Sequence, residues 1–243
     1  MKDTPMLVLC VKDRRREPEW MDQPGLDSAL HDQALIGLRR VNRISRTASR
    51  LWRPADHLAK ELAGAPLRIL DVASGGGDVA IGLATEAQRR NVPVEIEGCD
   101  ISPRAVEHAR AEARRAGLNH VRFFNLDALE DALPDKYDVV TCSLFLHHLD
   151  EADAVRLLGK MAEAAERLLL VDDLRRTRSG YALAWLGSQL LTRSPIVHVD
   201  GPRSVRAAFT LEEAARLADR AGLKGYRIEP HWPQRFLLNW SKP

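Results

Sequence analysis

The 243 residues suffice for one α/β domain with an accessory segment and a sizeable core. Apolar residues make up 45% and charged residues 29%, an ordinary balance for a soluble domain, and a formal net charge of +2 is too small to point to nucleic acid. No apolar run reaches the roughly 18 to 20 residues of a membrane-spanning helix.

Residues 1–11 hold a short apolar stretch followed by Lys12-Asp13-Arg14-Arg15-Arg16, the reverse of the order in a signal peptide. Residues 1–20 are expected to be a poorly ordered extension, because Met21 opens a better-patterned segment. The three cysteines, Cys10, Cys99 and Cys142, lack metal-ligand spacing, so no metal site is expected, and a reduced, cytoplasmic compartment is the reading.

From 26 to about 51, Leu30, Ala34, Leu35, Leu38, Val41 and Ile44 recur at helical spacing. Asp27 or Ser28 caps the start, and Pro54 is expected to end the helical stretch. Residues 21–62 are therefore assigned to one or two cap helices ahead of the main domain, which spans 63–243.

An alternation of strands and helices comes next. Strands are predicted at 67–73, 94–99, 121–125, 137–143 and 167–171, with helices at 79–90, 103–116 and 152–165. Ser102 caps the second of these helices, with Pro103 at its first position and Gly117 beyond its end. Repeated β-α units imply a doubly wound parallel sheet with helices on both faces. Residues 174–208 break the alternation and read as an insertion over the ligand end of the sheet. The tail resumes with Thr210 capping a helix at 211–221 and two strands near 225–229 and 235–240.

The segment Ile69-Leu70-Asp71-Val72-Ala73-Ser74-Gly75-Gly76-Gly77-Asp78 is a strand opening into a glycine loop ahead of a helix, where backbone N–H groups face a ligand. A dinucleotide fingerprint would run G-x-G-x-x-G, but Ala73, Gly75 and Asp78 hold those positions, and a carboxylate at Asp78 would repel a pyrophosphate. No Gly-Lys-Ser/Thr is present after the loop, which excludes a P-loop. A cationic sulfonium cofactor meets no such objection. Asp100 ends the second strand, where a carboxylate accepts both ribose hydroxyls, and Asp127-Ala128 after the third strand can face an adenine edge.

These residues resemble the class I, Rossmann-like S-adenosylmethionine methyltransferases, over roughly 67–241, with motifs at 71–77, 100–102, 127 and 138–143. The nearest resemblance is to quinone-biosynthesis and secondary-metabolite small-molecule enzymes. The resemblance implies a seven-stranded, mostly parallel sheet whose last strand is antiparallel, under a helical cap. It implies Asp100 on ribose, Ile101 against adenine, Asp127 near the adenine amine, and the loop from Gly75 to Gly77 beside the methionine moiety. Asp71, Ala73, Asp78, Ala128 and Ser143 complete the expected cofactor set. The sequence departs once, with Ala73 where the family has its first glycine.

Methyl transfer needs an oriented acceptor and, for oxygen, a place for its proton. His147, in Ser-Leu-Phe-Leu-His-His-Leu after the fourth strand, is one candidate. His198 and Asp200 are a second, expected to lie on one side of an extended segment as a base pair, with Arg206 able to bind an acidic or phenolate oxygen. Asp172 or Asp173 is expected to line the acceptor cavity. Thr141-Cys142-Ser143 carries neither the Pro-Pro-aromatic pattern of adenine amino methylation nor the Pro-Cys of cytosine C5 methylation, so a small-molecule acceptor is favoured over nucleic acid.

The expected acceptor is aromatic, phenolic or polyketide-like, with O-methylation favoured over C-methylation. Rival readings are a non-catalytic cofactor-binding module and a nicotinamide-dependent oxidoreductase. Arg14 to Arg16 with Arg175, Arg176 and Arg178 could form a basic rim, and the apolar run from Tyr181 to Leu191 could rest on a membrane surface. The sequence leaves the oligomeric state open.

Overall fold

The computed structural model describes residues 11–21, 27–62, 64–134 and 136–243. Seven strands form one sheet in the order β3-β2-β1-β4-β5-β7-β6. The strands are β1 (Leu67–Val72), β2 (Val94–Asp100), β3 (Arg122–Asn125), β4 (Tyr137–Ser143), β5 (Ala165–Leu174), β6 (Arg227–His231) and β7 (Arg235–Ser241). The first five are mutually parallel, and β7 runs antiparallel between β5 and β6. This is the doubly wound, seven-stranded sheet with an antiparallel last strand that the resemblance implied.

Strand β1 shows why the sheet is central. Leu67 and Ile69 pack on one face while Leu70 and Val72 pack on the other, and all four are fully buried. A strand with both faces covered reads as a continuous apolar run, as in other parallel sheets. One face carries α2 (Thr47–Glu61), α3 (Asp78–Arg89) and α4 (Pro103–Arg115); the other carries α5 (Glu151–Ala164) and α8 (Leu211–Arg220). Burying each such aliphatic side chain contributes about 1.5–3 kcal/mol.

Local signals fix the helix ends. Ser102 Oγ accepts the Ala105 amide at 3.2 Å, and Thr210 and Glu213 form a reciprocal capping box on α8. Pro54 does not stop a helix, contrary to the expectation from sequence. It lies inside α2, which continues because Leu51, Trp52, Ala55 and Leu58 present one buried face on either side of it. The break comes earlier, where Arg46 adopts a left-handed φ of 54° between α1 (Ser28–Ser45) and α2.

Register brings the strand ends level. Val72 pairs with Cys99 on β2 and with Cys142 on β4, so Ala73, Asp100 and Ser143 emerge together. Sequence order reverses between β1 and β4, the switch point where ligands bind in open α/β sheets. Above that edge, residues 174–208 supply α6 (Arg178–Leu191) and α7 (Pro195–Ala207), which pack on each other, with α1 against both.

Residues 11–20, expected from patterning to be loosely attached, are tied to this cap. Arg14 donates to the carbonyls of Ala207, His147 and Leu149, and its guanidinium lies 3.7 Å from the Phe209 ring centroid. Among the described residues no helix is long and apolar enough to cross a membrane.

Candidate active site

A cavity of about 990 Å³ lies over the switch point, at the upper end of the usual range for ligand sites, roughly 300–1,000 Å³. Its floor is made by the tips of β1, β2 and β4 and its roof by α1, α6 and α7. Asp71, Ala73, Gly75, Asp78, Asp100, Ile101, Asp127, Ala128 and Ser143 all line it, so nine of the ten residues expected at the cofactor end meet in one place.

Gly77, the tenth, acts from behind. It turns the chain into α3 at φ 76°, and a Cβ there would stand 2.7 Å from the Phe123 ring and 2.8 Å from Ala109 Cβ. Only glycine fits. Ala73 also adopts a left-handed backbone, at φ 53°, which explains why a glycine is usual at this point of the family motif.

Asp100 holds the loop in shape. Its Oδ2 accepts the Gly75 amide at 2.8 Å and its Oδ1 accepts the Ser102 amide at 2.9 Å. Asp127 lines the cavity at the next turn, where its Oδ1 accepts the Leu129 amide at 2.9 Å. Ile101 is 66% exposed although it lines the cavity, an apolar plate with nothing stacked on it.

Asp71 carries the clearest unmet demand. It is 1% exposed; Oδ1 accepts Thr141 Oγ1 at 2.7 Å, and Oδ2 has no hydrogen-bond partner. Burial pushes its carboxyl up to about 7, against the lowering effect of Thr141. Asp78 is likewise raised by burial and accepts Asn42 Nδ2 at 2.7 Å. Two carboxylates beside the α3 N-terminus suit a cationic amino-acid moiety and oppose a pyrophosphate. An orphaned carboxylate oxygen, an open loop at Gly75 and a bare apolar plate at Ile101 together fit S-adenosylmethionine.

The candidates for chemistry separate. His147 sits on a 3₁₀ turn after β4 and lines the cavity although it is 3% exposed. Its Nδ1 lies 2.6 Å from Asp173 Oδ1. Burial would raise the Asp173 carboxyl, but the charge and hydrogen bond of His147 outweigh it and hold Asp173 below its ordinary value. Nδ1 is therefore the donor, and Nε2 is the ring atom left for other partners.

His198 and Asp200 do not come together. Both lie on α7, where positions two apart are about 200° apart around the axis, so the extended segment expected from sequence is replaced by a helix. His198 Nε2 lies 2.9 Å from the Thr192 carbonyl, and Asp200 accepts the amides of Trp20 and Met21. Arg206 pairs with Glu17 at 3.0 Å and faces the N-terminal segment. None of the three is among the residues lining the cavity.

Asp172 and Asp173 do not line it either. Asp172 is fully buried between Arg235, at 3.1 Å, and His231, at 2.7 Å. Cys142 is buried with its thiol pushed well up, which removes it as a nucleophile. Two arginines of the expected basic rim are turned inward: Arg14 caps carbonyls and Arg176 is 6% exposed on Glu213.

Sequence reasoning missed Glu19. It lines the cavity, accepts Ser204 Oγ, and stands 3.8 Å from His147 Nε2 and 3.9 Å from His148 Nε2. Glu19, His147 and His148 each bring one ligand atom within 4.8 Å of the others. Arg14 and Arg16 donate to the carbonyls of these same two histidines, so positive charge already stands beside the trio and opposes a cation there. Glu19 precedes the patterned segment that opens at Met21, and no spacing rule links it to 147. Arg235 and Asn42 were missed for the same reason and also line the cavity.

Residues 69–167 match the family model described as "Methyltransferase domain". A demethylmenaquinone methyltransferase of Deinococcus radiodurans is 36% identical over 135 residues, 54% of this chain and 54% of that protein. A ubiquinone biosynthesis O-methyltransferase of Xanthomonas euvesicatoria is 30% identical over 176 residues, 72% of this chain and 64% of that protein. The chain thus spans between about half and two thirds of the length of these relatives. The crystal structure of magnesium protoporphyrin IX methyltransferase from Synechocystis, with bound SAH, has the same fold. Its TM-score is 0.58 at 18% identity, over 92% of this chain and 91% of that one. Residues 69–167 thus carry a methyltransferase domain, and the chain has the fold of the class I, S-adenosylmethionine-dependent methyltransferases that the sequence resembles.

Proposed function

We propose that this protein transfers a methyl group from S-adenosylmethionine to an oxygen of a small aromatic or phenolic acceptor held beneath the α1/α6/α7 cap. The observation that carries this reading is a single cavity with two chemically different ends. One end has Asp71, Asp100 and the glycine loop; the other has Ile44, Leu183, Leu186, Leu190 and Trp232. An apolar chamber with few polar groups suits a ring-shaped acceptor and keeps water from the donor.

The cofactor supplies a methyl carbon already activated by its sulfonium. The protein's own residues do the rest. Asp100 and Asp127 anchor the nucleoside, and Asp71 meets the cationic amino-acid end. His147 Nε2 accepts the acceptor hydroxyl's proton, Asp173 fixes the tautomer through Nδ1, and Glu19 balances the imidazolium that forms. The His147–Asp173 pair favours oxygen over carbon, because an oxygen nucleophile has a proton to surrender.

The test is turnover of methyl-labelled S-adenosylmethionine with a panel of small phenols, by the wild-type protein and by His147→Ala. Labelled product from the wild type, with at least about a hundredfold loss in the variant, is the expected result. Methylation at carbon, or equal turnover by both proteins, would overturn the assignment to oxygen.

A further inference from the structure

Acidic and basic residues nearly balance over the whole chain, 34 against 36, but they are not evenly spread. Residues 33–55 hold six arginines, and 174–199 hold four, without one aspartate or glutamate in either stretch. The fold places these two stretches side by side. They form most of α1, the first half of α2 and all of α6, and Arg40 Nη1 donates to the Leu191 carbonyl across the α1–α6 contact. Arg43, Arg46, Arg178 and Arg193 are exposed and, among the described residues, form no ion pair.

Large apolar side chains stand among these arginines. Ile44, Leu186, Leu190 and Trp232 line the cavity and are also 49%, 48%, 73% and 62% exposed, so they mark where its acceptor end meets solvent. Trp185 and Ile36 lie on the same helices, exposed and outside the cavity. Exposed tryptophan and leucine with arginine of one sign is the composition of a surface that sits at the boundary between lipid headgroups and acyl chains. A soluble-protein partner would need acids facing so many cations, whereas an anionic bilayer presents negative charge over its whole plane.

We infer that the rim formed by α1, α6 and the β6–β7 turn docks on an anionic membrane surface, with the acceptor end of the cavity opening toward the bilayer. The docked protein takes a lipophilic acceptor from the membrane directly, between Ile44, Leu190 and Trp232. Each arginine at an anionic surface strengthens binding about fivefold, so salt and lipid charge both control attachment.

Vesicle co-sedimentation of the full chain tests this. The wild type is expected to pellet with phosphatidylcholine–phosphatidylglycerol vesicles, to stay in solution with phosphatidylcholine alone, and to be released by salt. The double variant Arg43→Glu/Arg193→Glu is expected to bind at least about 25-fold more weakly. Trp185→Ser should also lose binding, and both variants should keep S-adenosylmethionine affinity, which shows that they fold. A wild type that ignores anionic vesicles would overturn the proposal, as would variants that pellet like wild type. Self-association of the wild type that Trp185→Ser abolishes, without vesicle binding, would instead assign the rim to a second copy of the chain and equally overturn it.

Discussion

Asp173 and His147 meet at 2.6 Å across the ends of β5 and the turn after β4, both almost fully buried. A carboxylate so far from water persists because the His147 ring and the backbone amides of His147 and Leu174 all partner it. Replacing His147 with Ala should lower kcat by about 10²–10⁴ while S-adenosylmethionine affinity holds within a few-fold. Asp173→Asn should reduce kcat too, since it no longer selects the tautomer. The folded carboxyl of Asp173 lies below its unfolded value of 3.8, so its stabilisation is present above 3.8 and disappears as pH falls through the lower, folded value. Steady-state kinetics with separate titration of the cofactor checks the first two statements, and melting against pH checks the third.

Asp71 has the opposite linkage. Its carboxyl is raised from 3.8 to about 7, so below 3.8 both folded and unfolded chains carry the proton. Between about 4 and 7 only the unfolded chain releases it, and stability falls across that window by about 1.4 kcal/mol for each pH unit. Asp71→Asn should therefore gain stability relative to the wild type as pH rises from 4 to 7. Cofactor affinity of the wild type should increase through pH 7, as the carboxylate ionises opposite a cationic group, and the variant should lose that dependence. Calorimetric melting and titration at a series of pH values give both readouts.

Ala73 stands in a left-handed conformation that L-residues adopt at a cost of about 1–2 kcal/mol, partly offset by the extra chain entropy that glycine would lose. Ala73→Gly should stabilise the protein by about 0.5–1 kcal/mol, a rise of roughly 1–4 °C in Tm. Gly77→Ala should do the reverse, because its new Cβ meets Phe123 and Ala109 below 3 Å. Differential scanning calorimetry of the two variants tests this explanation of the loop.

His198 and Asp172 reverse the roles expected from sequence. His198→Ala should leave turnover within about twofold, since its ring serves the Thr192 carbonyl outside the cavity. Asp172→Ala should leave Arg235 buried and unpaired and destabilise the fold by about 3–5 kcal/mol. Kinetics on the first variant and denaturant unfolding of the second distinguish a catalytic from a structural role for each.

The cofactor end was legible because its residues lie at fixed offsets from strand ends, and a parallel sheet brings successive strand ends to one edge. Asp71, Asp100 and Asp127 are each one motif away from an apolar run, and local patterning suffices to place them. The acceptor end was not legible in the same way. Glu19 reaches the cavity on the N-terminal segment, Asn42 on α1 and Arg235 on the antiparallel β7, placements that no short-range spacing encodes. His198 and Asp200 misled because their alternation reads as extended chain, whereas Pro195 at the first turn and the burial of Ile196, Val197 and Val205 make the segment a helix. Pro54 misled in the converse sense, its cost offset by the buried face of α2.

We propose that the β1 and β2 tips bind S-adenosylmethionine through Asp100 and the loop it shapes. Isothermal titration of the wild type and of Asp100→Ala tests it most directly. Saturable one-to-one binding is predicted for the wild type, and binding weaker by roughly 100-fold for the variant, the loss of one or two charged hydrogen bonds. No binding by the folded wild type, or equal binding by both, would contradict it.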